Sequence, residues 1–106
     1  MIDAKQIEEI LTQYRKHGWK LSRVLLSAPT KKMLSASFEK LFGNAEIITS
    51  DIDAAWFFRA SDKGGEAWEL RRLSDVPFAL FEMFDDEDDE DIREETRQEM
   101  QTRMRK

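Results

Sequence analysis

The chain of 106 residues has no cysteine, one histidine, two prolines and four glycines. Without cysteine there is no disulfide, no zinc ribbon and no thiol nucleophile. The lone His17 cannot supply a histidine-rich metal site, and next to Gly18 it reads as a helix-end residue rather than a general base. No apolar run reaches the roughly 18 residues that a membrane-spanning helix needs. The scarcity of Gly and Pro leaves no room for a long flexible linker, and no segment repeats. The first ten residues carry Asp3, Glu8 and Glu9 in a helical pattern instead of a continuous apolar stretch. They do not read as a secretory signal, so a cytoplasmic location is expected.

Basic excess is also missing. Residues 1–84 hold 12 basic and 12 acidic side chains, residues 85–91 are seven acids in a row, and residues 92–106 hold five basic and three acidic ones. The net charge of −5 therefore belongs to one heptapeptide. A neutral body does not favour nucleic acid, whose affinity rests on Lys and Arg against phosphates. What is present is a core: seven Phe, three Trp and one Tyr.

Ile7, Ile10, Leu11 and Tyr14 recur at helical spacing, with Asp3 to cap the start and Gly18 to end it. Trp19 to Leu26 begins by alternating and ends as an apolar run, which predicts a strand entering a core. After Ser27-Ala28-Pro29-Thr30, a second helical stripe runs through Leu34, Phe38, Leu41 and Phe42 and closes at Gly43-Asn44. A short strand follows at Glu46–Ser50. Three aromatic-rich runs, residues 54–60, 67–73 and 78–84, are separated by hairpin-length turns and predict an antiparallel meander.

The predicted fold is α+β in the order α-β-α-β-β-β-β-α. A mixed sheet of four to five strands carries two helices on one face and a C-terminal helical appendage. Residues 1–84 are expected to form one domain, followed by the acidic run and a charged helix over residues 85–106. Trp56, Phe58, Trp68, Leu70, Phe78 and Leu80 share one sheet face, which the two helices are expected to cover. On the C-terminal helix, Ile92, Met100 and Met104 form the apolar stripe, and Glu99 with Arg103 is an i, i+4 ion pair.

Four groups of residues carry possible chemistry. Ser27, Thr30, Lys31 and Lys32 stand where a strand gives way to a helix, a place where unpaired amides and the helix dipole attract anions. They form a candidate phosphate or anion site, although no Gly-rich loop or Walker spacing accompanies them. Asp51, Asp53 and Glu69 could hold Mg²⁺ with water completing the octahedron, as in a metal-dependent enzyme. Asp51 with Glu69-Leu70-Arg71 loosely resembles the PD-(D/E)xK nuclease pattern. It departs from that pattern in lacking a Pro before the acid and in holding Arg71 where Lys is expected.

The opposite sheet face, with Phe57, Arg59, Glu69, Arg71, Phe81 and Met83, is too apolar for a solvated face and too polar for a full core. It is the candidate interaction face. The run Asp85, Asp86, Glu87, Asp88, Asp89, Glu90, Asp91 lacks EF-hand spacing and is the candidate docking run for a basic partner. The function these features favour is a non-catalytic protein-interaction module, with a protein partner or self-association expected. No cofactor, resident metal, membrane or nucleic acid is expected.

Overall fold

The computed structural model describes residues 2–62 and 64–105. Helix α1 spans Ala4–Lys16 and opens with a capping box. The Asp3 side chain accepts from the Gln6 amide, and the Gln6 side chain accepts in return from the Asp3 amide, both at 2.9 Å. His17 ends it, with Nδ1 3.0 Å from the Gln13 carbonyl, and Gly18 then takes φ +85°, where a side chain would be strained. The chain continues as β1 (Lys20–Leu26), α2 (Ala28–Leu34), a 3₁₀ turn (Ser35–Ser37) and α3 (Phe38–Phe42). It then forms β2 (Glu46–Thr49), β3 (Ala54–Ala60), β4 (Glu66–Arg72), β5 (Ala79–Phe84) and α4 (Glu90–Met104).

The predicted α+β order is the observed one, with the second helix divided. Leu34, Phe38, Leu41 and Phe42 read as a single stripe, but Ser35 turns its hydroxyl back to the Lys32 carbonyl at 3.2 Å. Local serine bonds of this kind compete with the helical ladder, and the backbone tightens into the 3₁₀ turn.

The sheet order is β2-β1-β3-β4-β5. β1 and β2 run parallel, and β1–β3, β3–β4 and β4–β5 are antiparallel. β1 carries a register shift at Ser22 between Leu21 and Arg23. A bulge of this kind exchanges the faces of the residues on either side of it. Leu21 thereby joins Val24 and Leu26 on one face, while Arg23 shares the other with Leu25.

Each face has its own helical layer. Val24, Leu26, Ala55, Phe57 and Leu73 pack with Ile7 and Leu11 of α1 and with Leu34, Leu41 and Phe42 of α2 and α3. Leu25, Ala54, Trp56, Trp68, Leu70 and Phe84 pack with Met100 and Met104 of α4. The expected assignment of helices to faces is therefore reversed. The N-terminal helices cover the Phe57 face, and the helix appended after β5 covers the Trp56 face. β3 reads Ala-Ala-Trp-Phe-Phe-Arg-Ala and is apolar on both sides, so alternation alone could not choose between them.

The buried face of α4 is Arg97, Met100, Gln101 and Met104, whereas Ile92 is half exposed. Trp56 is fully buried, and its indole N–H donates to Gln101 Oε1 at 2.9 Å. Arg97 lies 4.0 Å over the Trp68 ring and pairs with Glu90 at 2.6 Å and Glu94 at 2.9 Å, in place of the expected Glu99–Arg103 pair. Burying side chains the size of Trp56 and Phe57 contributes about 3 kcal/mol each, and this two-sided burial is what holds the layers together.

Candidate functional site

The Ser27–Lys32 turn already holds an anion supplied by the chain itself. The Asp53 carboxylate accepts from the Ser27 amide at 2.7 Å, the Ser27 hydroxyl at 3.2 Å and the Thr30 hydroxyl at 2.8 Å. Ser27 also reaches Thr30 at 3.1 Å, and Thr30 is fully buried. Lys31 donates to Thr49 at 3.1 Å, away from this knot, and Lys32 is exposed. The feature ties α2 to the entrance of β3, and it occupies the place where a phosphate was expected.

Asp51, Asp53 and Glu69 are not brought together. Asp53 is committed to Ser27 and Thr30, and Asp51 pairs with Arg105 at 2.6 Å, which lowers its carboxyl below the ordinary range. Glu69 accepts from the Tyr14 hydroxyl on the far side of the sheet. Burial and then that carboxylate push the Tyr14 phenol above its usual value. Among the described residues, no group of three His, Asp or Glu side chains is placed to hold a metal ion.

The acidic run folds as a structured corner between β5 and α4. Asp86 receives the Gly65 amide and Asp88 receives the Asp85 amide. Asp89 caps α4 by accepting from Ile92, and Glu90 reaches Arg97. Arg93 ties the corner to β4, bonding the carbonyls of Asp85 and Asp88 and the Glu66 carboxylate. The side chains of Asp85, Glu87 and Asp91 point into solvent.

A polar groove of about 440 Å³, missed in the sequence, runs between α4 and the β1–β2 edge. Arg23, Glu94, Gln98, Gln101, Asp51 and Arg105 line it over Leu25 and Ile48. Burial works to raise the Glu94 pKa. Hydrogen bonds from Arg23, Gln98 and Arg97, with the Arg23 charge, override it and bring the pKa to about 2. The groove's cations are thus spent on its own acids, Arg23 on Glu94 at 2.9 Å and Arg105 on Asp51. The bulge at Ser22 aims Arg23 here, a link between residues far apart in the chain that spacing could not reveal.

The candidate interaction face is divided by α1. Tyr14 stacks on Phe57 at 4.0 Å and bonds Glu69, so both are covered, and Arg71 turns to the Arg72 carbonyl. Beyond the helix the face is open. Phe81 is 53% exposed and Met83 47%, and with Arg59 they line a depression of about 330 Å³. Trp19 stands beside these residues, edge-on to Phe81 at 6.5 Å and under the Arg59 guanidinium at 4.7 Å. Apolar rings edged by a stacked arginine are the composition of protein-binding surfaces.

The fold defines a mixed five-stranded sheet between two helical layers, α1–α3 on one side and α4 on the other. No family model, curated protein or solved structure matches the chain. Among the described residues, no helix is long and apolar enough to cross a membrane.

Proposed function

We propose that this chain is a protein-interaction module without a catalytic role, docking through the open half of its α1-side sheet face. The observation that carries the reading is the joint exposure of Phe81 and Met83 beside the Arg59–Trp19 stack. An exposed apolar patch edged by polar groups marks an interaction site. The outward carboxylates of Asp85, Glu87 and Asp91 flank the end of β5 and speed the approach of a basic surface.

The test compares the native chain with a Phe81→Ser, Met83→Ser variant. Quantitative co-purification from the source cells is run on both, after thermal melts show equal stability. The reading expects a set of proteins retained by the native chain and lost by the variant. Identical sets from both chains, with no difference between them in self-association, would remove the face from consideration.

A further inference from the structure

The occupant of this face can be named from the strand that borders it. β5 is the last strand of the sheet, and Arg72 donates its amide to Phe78 at 2.9 Å. In an antiparallel ladder such bonded pairs alternate with unbonded ones. Leu80, Glu82 and Phe84 therefore turn their backbone groups toward β4, and Ala79, Phe81 and Met83 turn theirs outward. Among the described residues one of these outward amides has a partner, Met83, which donates to the Glu82 carboxylate at 3.1 Å. The opposite edge is protected by shortness, since β2 has four residues and begins at an exposed Glu46. β5 has no such protection. Its outward residues are the ones whose side chains form the apolar patch.

Charge is polarised along the same strand. At the Phe84 end lie Asp85, Asp86 and Glu87, while Glu66 there is neutralised by Arg93 at 2.8 Å. At the Ala79 end lie Arg71 and Arg72, and Arg72 bonds the Met104 carbonyl near the end of α4. A two-fold axis at the middle of β5 lays the acidic end of one copy beside the basic end of the other.

Resting on the interaction-module reading, we infer that the partner is a second copy of this chain, added β5 to β5 in antiparallel register about Phe81. Phe81 then faces the Phe81 of the other copy, and Met83 faces its Ala79. About six backbone hydrogen bonds close the seam. Asp85 comes within two strand spacings, roughly 10 Å, of the other copy's Arg72, close enough to be felt at moderate salt. The Glu82 carboxylate swings aside to free the Met83 amide. An isologous contact of this kind is closed, so it yields a dimer and not a fibre.

Sedimentation equilibrium of the pure chain from about 5 to 200 µM is the test, with amide exchange read at Ala79 and Phe81. The expected result is a dimer at the upper end, with those two amides slowing as concentration rises. Raised salt shifts the balance toward monomer. Phe81→Pro removes an outward amide without touching the β4 ladder, and Met83→Lys places a charge in the seam. Both are expected to weaken the dimer at least tenfold, and the lysine variant keeps the test valid if the proline one does not fold. A native chain that stays monomeric throughout overturns the inference, as does a dimer that both variants leave intact. Loss of partners by the serine variant, with a monomeric native chain, would retain the interaction reading and discard self-pairing. Failure of both experiments would discard both.

Discussion

Removing the Asp53 carboxylate should expose how much of the fold depends on one internal anion. Asp53→Ala deletes three acceptor contacts at once, to the Ser27 amide, the Ser27 hydroxyl and the Thr30 hydroxyl. Loss of a helix-capping contact costs about 1 kcal/mol, and the bond to a charged acceptor makes this one stronger than most. Thr30 is fully buried, and its hydroxyl would keep Ser27 as its one remaining partner, at about 1 to 2 kcal/mol more. The total is about 3 kcal/mol. For a chain of this size that lowers the melting midpoint by roughly 10 to 20 °C. Asp53→Asn keeps one acceptor and is expected to lose about half as much. Thermal melts followed by tryptophan fluorescence give the midpoints, since Trp56 and Trp68 are buried against α4. A double-mutant cycle with Thr30→Val isolates the coupling, expected at about 1 kcal/mol. An Asp53→Ala chain melting within 3 °C of the native one, or a cycle with no coupling, would refute the reasoning.

Three further outcomes are expected. Arg97→Ala should cost about 3 kcal/mol in urea denaturation, because it strips the cover from Trp68 and leaves a void. Arg97→Met should cost under about 1, since it keeps the stem over the ring and removes a buried charge whose Nε has no partner. Equal losses would show that the charge, not the packing, matters. The Glu94 pKa is depressed to about 2, so its stabilising contribution is complete above the ordinary carboxylate range and drains as pH falls through about 2. Its side chain is 37% exposed, and screening by solvent reduces the effect to about 1 kcal/mol. The stability difference between native and Glu94→Gln chains should therefore shrink by that amount between pH 6 and pH 2, and an unchanged difference would contradict the assignment. Gly65→Ala should cost more than 2 kcal/mol, because a Cβ there meets the Phe84 carbonyl at φ +75°. Gly18→Ala has open space at φ +85° and should cost about 1. Similar melting midpoints for the two would show that the β3–β4 turn yields.

The five strands were legible because turn residues punctuate them and their length is that of a strand. Residues 54–60 were delimited to the residue. Faces were less legible, because β3 is apolar on both sides and because the bulge at Ser22 reverses the alternation of β1. The buried face of α4 includes Arg97 and Gln101, which composition assigns to water. They become core through what they meet, a tryptophan ring for one and an indole N–H for the other. The sites followed the same rule. Residue types able to attract anions or metals are visible in the sequence as types. Whether they are spent inside the chain, as Asp53 and Asp51 are, depends on partners 23 to 54 residues away. Arg59, Phe81 and Met83 remained open because α1 ends short of them.

The cover that α4 gives to the Trp56 face has a consequence for truncation. The sheet is complete in sequence at Phe84, and the helices that cover its α1 side precede that residue. The Trp56–Trp68 side depends on Met100, Gln101 and Met104, which follow it. A chain cut in the acidic corner therefore keeps every strand but displays two indoles and Leu70, a surface prone to aggregate when crowded.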